Sequence, residues 1–294
     1  MKKSFTLIEI LVVIVIIGIL SAFIIVGMSG VSQKATIAKG QAFANSLKNA
    51  LLINLVSEWK FDELATATNG ATIADTWSGG NNGTLSTGDA NDKLRTGASC
   101  VSGKCLEFDG TNDYVNCGAG TNLDITGALA ISVWVYPKTN SAFGGIVIKG
   151  GDDKFQLVAR NDGYFEIYVE NSSGTGQALS TVPITVNAWQ HLAAIFNPTA
   201  QYLYLYKNGA ETKVSCTIGS LRSNSTDFYI GRYSVYYFNG LVDEVRIYNA
   251  AVSASQIQQD YFLGLNNLFR VGEIAESEYL ENVLEFKQSL ANNN

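Results

Sequence analysis

GLVDEVRIYN, at residues 240–249, reads as an extended strand. Period-two alternation groups Leu241, Asp243, Val245 and Ile247 on one face and sends Glu244 to the other. Similar strands recur back along the chain: EWKFDE (58–63), CLEFDG (105–110), DYVNC (113–117), ALAISVWVYP (128–137) and FQLVA (155–159). YFEIYVEN (164–171), AWQHLAAIF (188–196), QYLYLYKNG (201–209) and DFYIG (227–231) complete the set. Gly, Asn and Asp punctuate them roughly every 8–12 residues, which indicates an antiparallel β-sandwich.

Composition narrows the function classes. Twenty Lys and Arg against 26 Asp and Glu leave a net charge of −6, which argues against bulk neutralisation of nucleic-acid phosphate. A single His and 2 Met argue against His-rich transition-metal chemistry and weaken a His-dependent triad.

The strand segments carry a family resemblance. WKFDE (59–63), Asp75 through NNGTL (81–85), LEFDG (106–110), DYV (113–115) and SVWV (132–135) occur in order. WQH (189–191), LYKNG (205–209) and GLVDEVRIYN (240–249) follow. From Glu58 to Phe262 the chain resembles the laminin G-like, concanavalin A-like jelly-roll family. The resemblance implies an extracytoplasmic recognition module more often than an enzyme. Relatives that cleave glycans use carboxylates spaced two apart on one strand, and no E-x-D-x-E run occurs here. His191 reads as a hydrogen-bonded structural residue, so no catalytic residue is expected.

Two strands carry alternating tyrosines. Leu203 and Leu205 share one face and Tyr202, Tyr204 and Tyr206 the other. Phe165, Ile167 and Val169 similarly oppose Tyr164, Glu166 and Tyr168. With the aliphatics inward, the tyrosines form an outer platform for sugar rings or a protein, or else pack under loops and a helix. Asp243, on an apolar face, needs hydrogen bonds or a cation. The laminin G-like resemblance suggests structural Ca²⁺ there, with Asp62, Asp75 and Asn81 as further ligands; turn stabilisation is the equal alternative. Cys100 and Cys105 flank Val-Ser-Gly-Lys, a hairpin turn that a disulfide would close. Even count and export alone pair Cys117 with Cys216.

The apolar residues concentrate at the front. Ile10 to Gln33 are 24 residues without a formal charge, roughly 36 Å as a helix against a hydrocarbon core of about 30 Å. Lys2 and Lys3 precede them, which keeps the N-terminus cytoplasmic. Glu9 opens the run, where a lone carboxylate is costly. KSFTLIEILVVI (3–14) closely resembles the N-terminus of type IV pilins and pseudopilins. That resemblance implies cleavage by a prepilin peptidase between Ser4 and Phe5 and methylation of the new amine. It also implies pairing of Glu9 with a neighbouring subunit's amine, with Thr6 in the same network. The family usually has Gly where Ser4 stands. Residues 31–56 continue as an amphipathic helix, with Ile37, Phe43, Leu47, Leu51 and Leu55 at helical spacing.

The expected architecture is α+β. A leader (1–4) precedes a long N-terminal helix (5–56, transmembrane over 5–30) and a jelly-roll domain (57–262). A helical tail (263–294) follows, with Ser253 capping a short helix (Ala254–Tyr261) and a second helix over Glu276–Ala291. The expected role is a pilin-like filament subunit, inserted in the cytoplasmic membrane and then assembled with other pilins outside the cell. Its head would serve adhesion, or glycan or protein binding. The alternatives are a pseudopilin of a secretion or DNA-uptake machine and a membrane-anchored glycan hydrolase.

Overall fold

The computed structural model describes Lys34 and residues 54–77, 80–150 and 154–292. In chain order the strands begin with β1 (Leu55–Trp59), β2 (Thr72–Ile73), β3 (Gly83–Ser86), β4 (Leu94–Thr96), β5 (Lys104–Asp109) and β6 (Tyr114–Asn116). They continue with β7 (Leu129–Pro137), β8 (Gly144–Lys149), β9 (Phe155–Ala159), β10 (Phe165–Asn171), β11 (Gly174–Leu179) and β12 (Gln190–Asn197). The last are β13 (Tyr202–Lys207), β14 (Ala210–Ser215), β15 (Phe228–Ile230), β16 (Arg232–Tyr233), β17 (Tyr236–Tyr237) and β18 (Asn239–Tyr248). Helices α1 (Ala254–Val271) and α2 (Glu276–Asn292) follow.

Two sheets face each other. Sheet A runs β14-β13-β12-β7-β18-β5-β4, with β1 added on β18, and sheet B runs β11-β10-β9-β8-β15-β6-β3-β2. The core is built from alternate residues of each: Ile131, Val133, Ala194, Phe196, Leu203 and Leu205 from A meet Leu157, Phe165, Ile167, Val169, Phe228 and Ile230 from B. This is the alternation expected of strands with one buried face.

In β18 the alternation breaks. The register shifts between Asp243 and Arg246, and Glu244 has a φ of 49°. This β-bulge sits where β18 changes partner, from β5 (at Asn239–Val242) to β1 (at Val245–Tyr248). Val242, Val245 and Ile247 enter the core, whereas Leu241 packs on the opposite side of the sheet. Asp243 therefore does not share a face with Val245 and Ile247, because the extra residue inverts the alternation between them.

Two expected boundaries also shift. Leu55 and Val56 belong to β1 and not to the end of a helix. Helix α1 is capped by Ser253 as expected, with a full capping box to Gln256, but runs to Val271 and crosses the boundary at 262. Gly272, at φ 81°, ends it in the left-handed conformation that glycine favours. Helix α2 folds back on α1 through Phe262, Leu265, Tyr279 and Val283, with the Phe269 and Tyr279 rings stacked 4.5 Å apart.

Candidate binding surface

The outer face of sheet A is closed by α1. Ile257 packs on Ala130, Ala193, Ile195, Tyr206 and Tyr248, and Leu268 on Trp134 and Leu241. A side chain at Gly264 would bring its Cβ within 2.3 Å of the Trp134 ring, so glycine sets how closely the helix lies on the sheet. A cross-strand row, Glu58–Arg246–Ser132, supplies charge beneath the helix. Arg246 Nε donates to Glu58 (2.8 Å) and Nη1 to Asp260 of α1 (2.6 Å), while Nη2 reaches Glu244. Burial alone would raise the Asp260 pKa, but Arg246, His191 and Ser132 outweigh it and hold the carboxyl well below the ordinary range.

Ser132, His191 and Asp260 thus converge, but not as a nucleophilic triad. His191 Nε2 lies 2.9 Å from Ser132 Oγ, and that same hydroxyl donates directly to Asp260. Asp260 lies 3.4 Å from the same Nε2, while Nδ1 is buried without a hydrogen-bond partner. A triad needs the acid on the far nitrogen and the serine proton aimed at the imidazole. Here His191 is 0% exposed, tucked against the Trp134 and Tyr261 rings. The cluster fastens α1 to the sheet.

The four residues considered for Ca²⁺ separate into two places. Asp75 is a loop staple: Oδ1 accepts from the Glu58 and Trp77 amides and Oδ2 from that of Asn81. Asn81 in turn donates to Ser57 Oγ (2.6 Å). Asp62 and Asp243 instead meet the 100–105 loop, accepting from the Lys104 and Ser102 amides, while the second Asp243 oxygen takes the Glu244 amide. Burial, then Glu244, raises the Asp243 pKa well above the usual carboxylate value. Oxygens already turned to N–H donors fit a cation poorly. Among the described residues no group of three or more His, Cys, Asp or Glu gathers as a metal site.

Cys100 and Cys105 form a disulfide across Cα atoms 5.5 Å apart. Cys117 and Cys216 are free and buried, which corrects the second pairing. Cys117 follows β6 and its Sγ lies beside Gly83 of β3, whereas Cys216 lies against Gly176 of β11 at the far edge of sheet B. Five strand spacings separate β6 from β11, about 24 Å, far beyond disulfide reach.

Among the described residues no helix lies on the outer face of sheet B. One continuous cross-strand row runs Thr84–Asn116–Tyr229–Ile148–Gln156–Tyr168–Gln177. Tyr229 and Tyr168 stand three strands apart in it, about 14 Å. Beside Tyr229 the short hairpin β16–β17 folds over β8 and adds Tyr237, against which Tyr114 leans at 6.3 Å between ring centroids. Arg232 lies over three of these rings, its Cζ 4.7 Å from Tyr114, 5.4 Å from Tyr229 and 5.8 Å from Tyr237. The hairpin tip exposes Val235 (72%) and Tyr236 (47%), large apolar groups left in water. Asp227 accepts from Asn116 Nδ2 (2.9 Å) and the Tyr229 hydroxyl (3.3 Å), adding a fixed acceptor.

The expected tyrosine platform therefore divides between opposite sides of the molecule. Tyr168 is in β10 and Tyr164 at the turn before it, on sheet B. Tyr202, Tyr204 and Tyr206 form a ladder on the outer face of sheet A, with Lys213 3.9 Å from the Tyr202 ring centre. Tyr206 is 3% exposed and donates to Glu211, so it belongs to the packing under α1. Tyr114, Tyr229, Arg232, Tyr236 and Tyr237 were not anticipated. For Arg232, Tyr236 and Tyr237 the signal was the aromatic density of RYSVYYF (232–238), held in strands too short for alternation to register.

Ser4, Phe5, Thr6, Glu9 and the apolar segment lie outside the described residues, and among those described no helix is long and apolar enough to cross a membrane. Comparison with known families supplies the class. Residues 109–258 match the concanavalin A-like lectin/glucanases superfamily, and the chain belongs to it. Residues 1–25 match the prokaryotic N-terminal methylation motif, so a type IV pilin-type N-terminus is fused to the laminin G-like domain.

Solved structures show the same fold. Domain 4 of an extracellular GH43 arabinanase from Geobacillus stearothermophilus, in complex with arabinotriose, matches with a TM-score of 0.55 at 22% identity, over 71% of this chain and 98% of that one. The binding domain of Paraclostridial Mosquitocidal Protein 1 gives 0.55 at 14% identity, over 72% and 52%. The botulinum neurotoxin serotype D ligand binding domain, in complex with N-acetylneuraminic acid, gives 0.53 at 14%, over 71% and 50%. The chain spans about half the length of those two toxin domains. No curated protein matches it.

Proposed function

We propose that this chain is a type IV pilin-like filament subunit whose head binds glycans on the outer face of sheet B. Cleavage between Ser4 and Phe5 would free the apolar N-terminal helix to exchange lipid for neighbouring subunits, with Glu9 neutralised by a neighbour's amine. The observation that carries the binding role is the row of aromatic and amide side chains on sheet B, in which Asn116, Tyr229, Tyr168 and Gln177 reach the surface and over which no helix lies among the described residues. Tyrosine combines a flat apolar face with a hydroxyl, and Asn116, Gln177 and Asp227 supply polar groups beside it. Arabinotriose and N-acetylneuraminic acid in complexes of the same fold agree with a saccharide ligand.

The position of this surface also suits display. The Asn249 amide donates to the Asn54 carbonyl (3.0 Å), so the chain enters the head at the C-terminal end of β18. Hairpin β16–β17 leads into the opposite end of that strand, about 30 Å away. The aromatic hairpin therefore lies at the end of the head away from Asn54.

Full-length protein in detergent micelles, applied to an oligosaccharide array, tests the reading. Wild-type chain should bind at least one saccharide, and Tyr168→Ala with Tyr229→Ala should lose that binding. Retention by the double variant, with loss on Tyr202→Ala and Tyr204→Ala instead, would move the site to sheet A. Loss of filaments in Glu9→Ala cells checks the assembly half.

A further inference from the structure

Arg232 differs from its charged neighbours on sheet B. Arg160 has Asp162 (2.8 Å) and Glu166, and Lys154 has Asp124. Arg232 has no carboxylate within ion-pair reach among the described residues. Its Nε donates to the Ser234 carbonyl (2.8 Å), which ties the guanidinium to its own hairpin turn. That turn holds Ser234 at a φ of 54°, a conformation uncommon outside glycine and asparagine. Among the described residues neither Nη group has a hydrogen-bond acceptor, and the guanidinium lies above three tyrosine rings. The nearby acid, Asp227, is turned instead toward Asn116 and Tyr229.

A guanidinium fixed through Nε presents its remaining donors as a planar fork. Such a fork complements a planar carboxylate, which accepts two parallel hydrogen bonds. The rings beneath it offer apolar faces at the same place. A ligand meeting both demands carries a carboxylate on a ring. The chain as a whole is acidic, so general attraction of anions is no help, and recognition must be local.

We propose that Arg232 reads the carboxylate of an acidic saccharide whose ring lies against Tyr114, Tyr229 and Tyr237. This rests on sheet B being the glycan-binding face, and adds to it the class of sugar.

The test compares oligogalacturonate, its methyl ester and a sulfated oligosaccharide on full-length protein in micelles, with a neutral array alongside. The free acid should bind at least about tenfold tighter than the ester, a preference worth about 1.4 kcal/mol. Arg232→Gln should abolish that preference, bringing the acid-to-ester ratio close to one, and Arg232→Lys should keep only part of it, since an ammonium cannot form the fork. An unchanged acid-to-ester ratio in Arg232→Gln, at an unchanged melting midpoint, would overturn the assignment, as would a wild-type preference for the sulfated sugar. Binding of neutral saccharides alone sinks this inference and spares the glycan-binding reading. Binding of no saccharide at all sinks both.

Discussion

The two outer faces of the sandwich have the same strand chemistry and opposite fates. On sheet A the outward residues include Glu58, Ser132, His191, Arg246 and Tyr206, and a helix seals them in. On sheet B they include Asn116, Tyr168 and Tyr229, and no helix among the described residues covers them. The difference lies in how cations are balanced. Arg246 is matched by Glu58, Glu244 and Asp260, which raise its pKa against the effect of burial, so its charge is consumed in holding α1. Arg232 lies over ring faces with its Nε on the Ser234 carbonyl, and no carboxylate among the described residues pairs with it.

The comparison is broken most severely by removing Arg246. Arg246→Met leaves Glu244 and Asp260 buried without their arginine and Glu58 with Lys60 alone, a loss of about 3–5 kcal/mol. The melting midpoint of the head should fall on the order of 10 °C, read by circular dichroism. The same network has a pH signature. Asp260 releases its proton more readily folded than unfolded, so its contribution is complete above about pH 4, the unfolded carboxylate value. It drains as pH falls through that value toward the lower folded one. Asp243 runs the other way: its raised pKa makes it a cost that grows as pH rises from about 4. Asp260→Asn should therefore flatten the acid limb of the stability profile, and an unchanged limb would remove Asp260 from the lock.

A smaller effect comes from forcing the helix off the sheet. Gly264→Val places methyl groups where the Trp134 ring sits and should cost about 1–3 kcal/mol by overpacking. Tryptophan fluorescence should shift with it, since Trp134 is stacked on Tyr261 at 5.8 Å. Next, replacing Cys100 and Cys105 by serine opens a short loop whose closure contributes roughly 2 kcal/mol or less. That loop packs Val101 beside Trp134 and Leu268, so the loss should be felt under α1 and not at the hairpin.

Much of this contrast was legible in the residues and part of it was not. Alternation correctly separated Leu203 and Leu205 from Tyr202, Tyr204 and Tyr206, because only a strand with one buried face is written that way. Alternation could not say which sheet a strand joins, and so it grouped tyrosines from opposite faces. The bulge at Asp243 and Glu244 was invisible for a different reason. One residue at positive φ leaves no mark in a hydrophobic pattern, yet it reverses every facing beyond it. Cys117 and Cys216 show a third limit, since pairing depends on distance across a sheet and not on an even count.

The smallest change in stability should come from the open face, and it is the one that sharpens the comparison. Tyr168→Ala and Tyr229→Ala remove side chains that are only half-buried, beside polar neighbours that can turn to water. Each should cost below about 1 kcal/mol, so the melting midpoint should move by a few degrees at most. Saccharide binding should fall far more than stability does, because each ring contributes contact area that water cannot replace. If the double variant instead melts as early as Arg246→Met, sheet B is a second structural face and its tyrosines are packing. If the midpoint holds while binding disappears, the division of labour between the two faces stands on separate measurements.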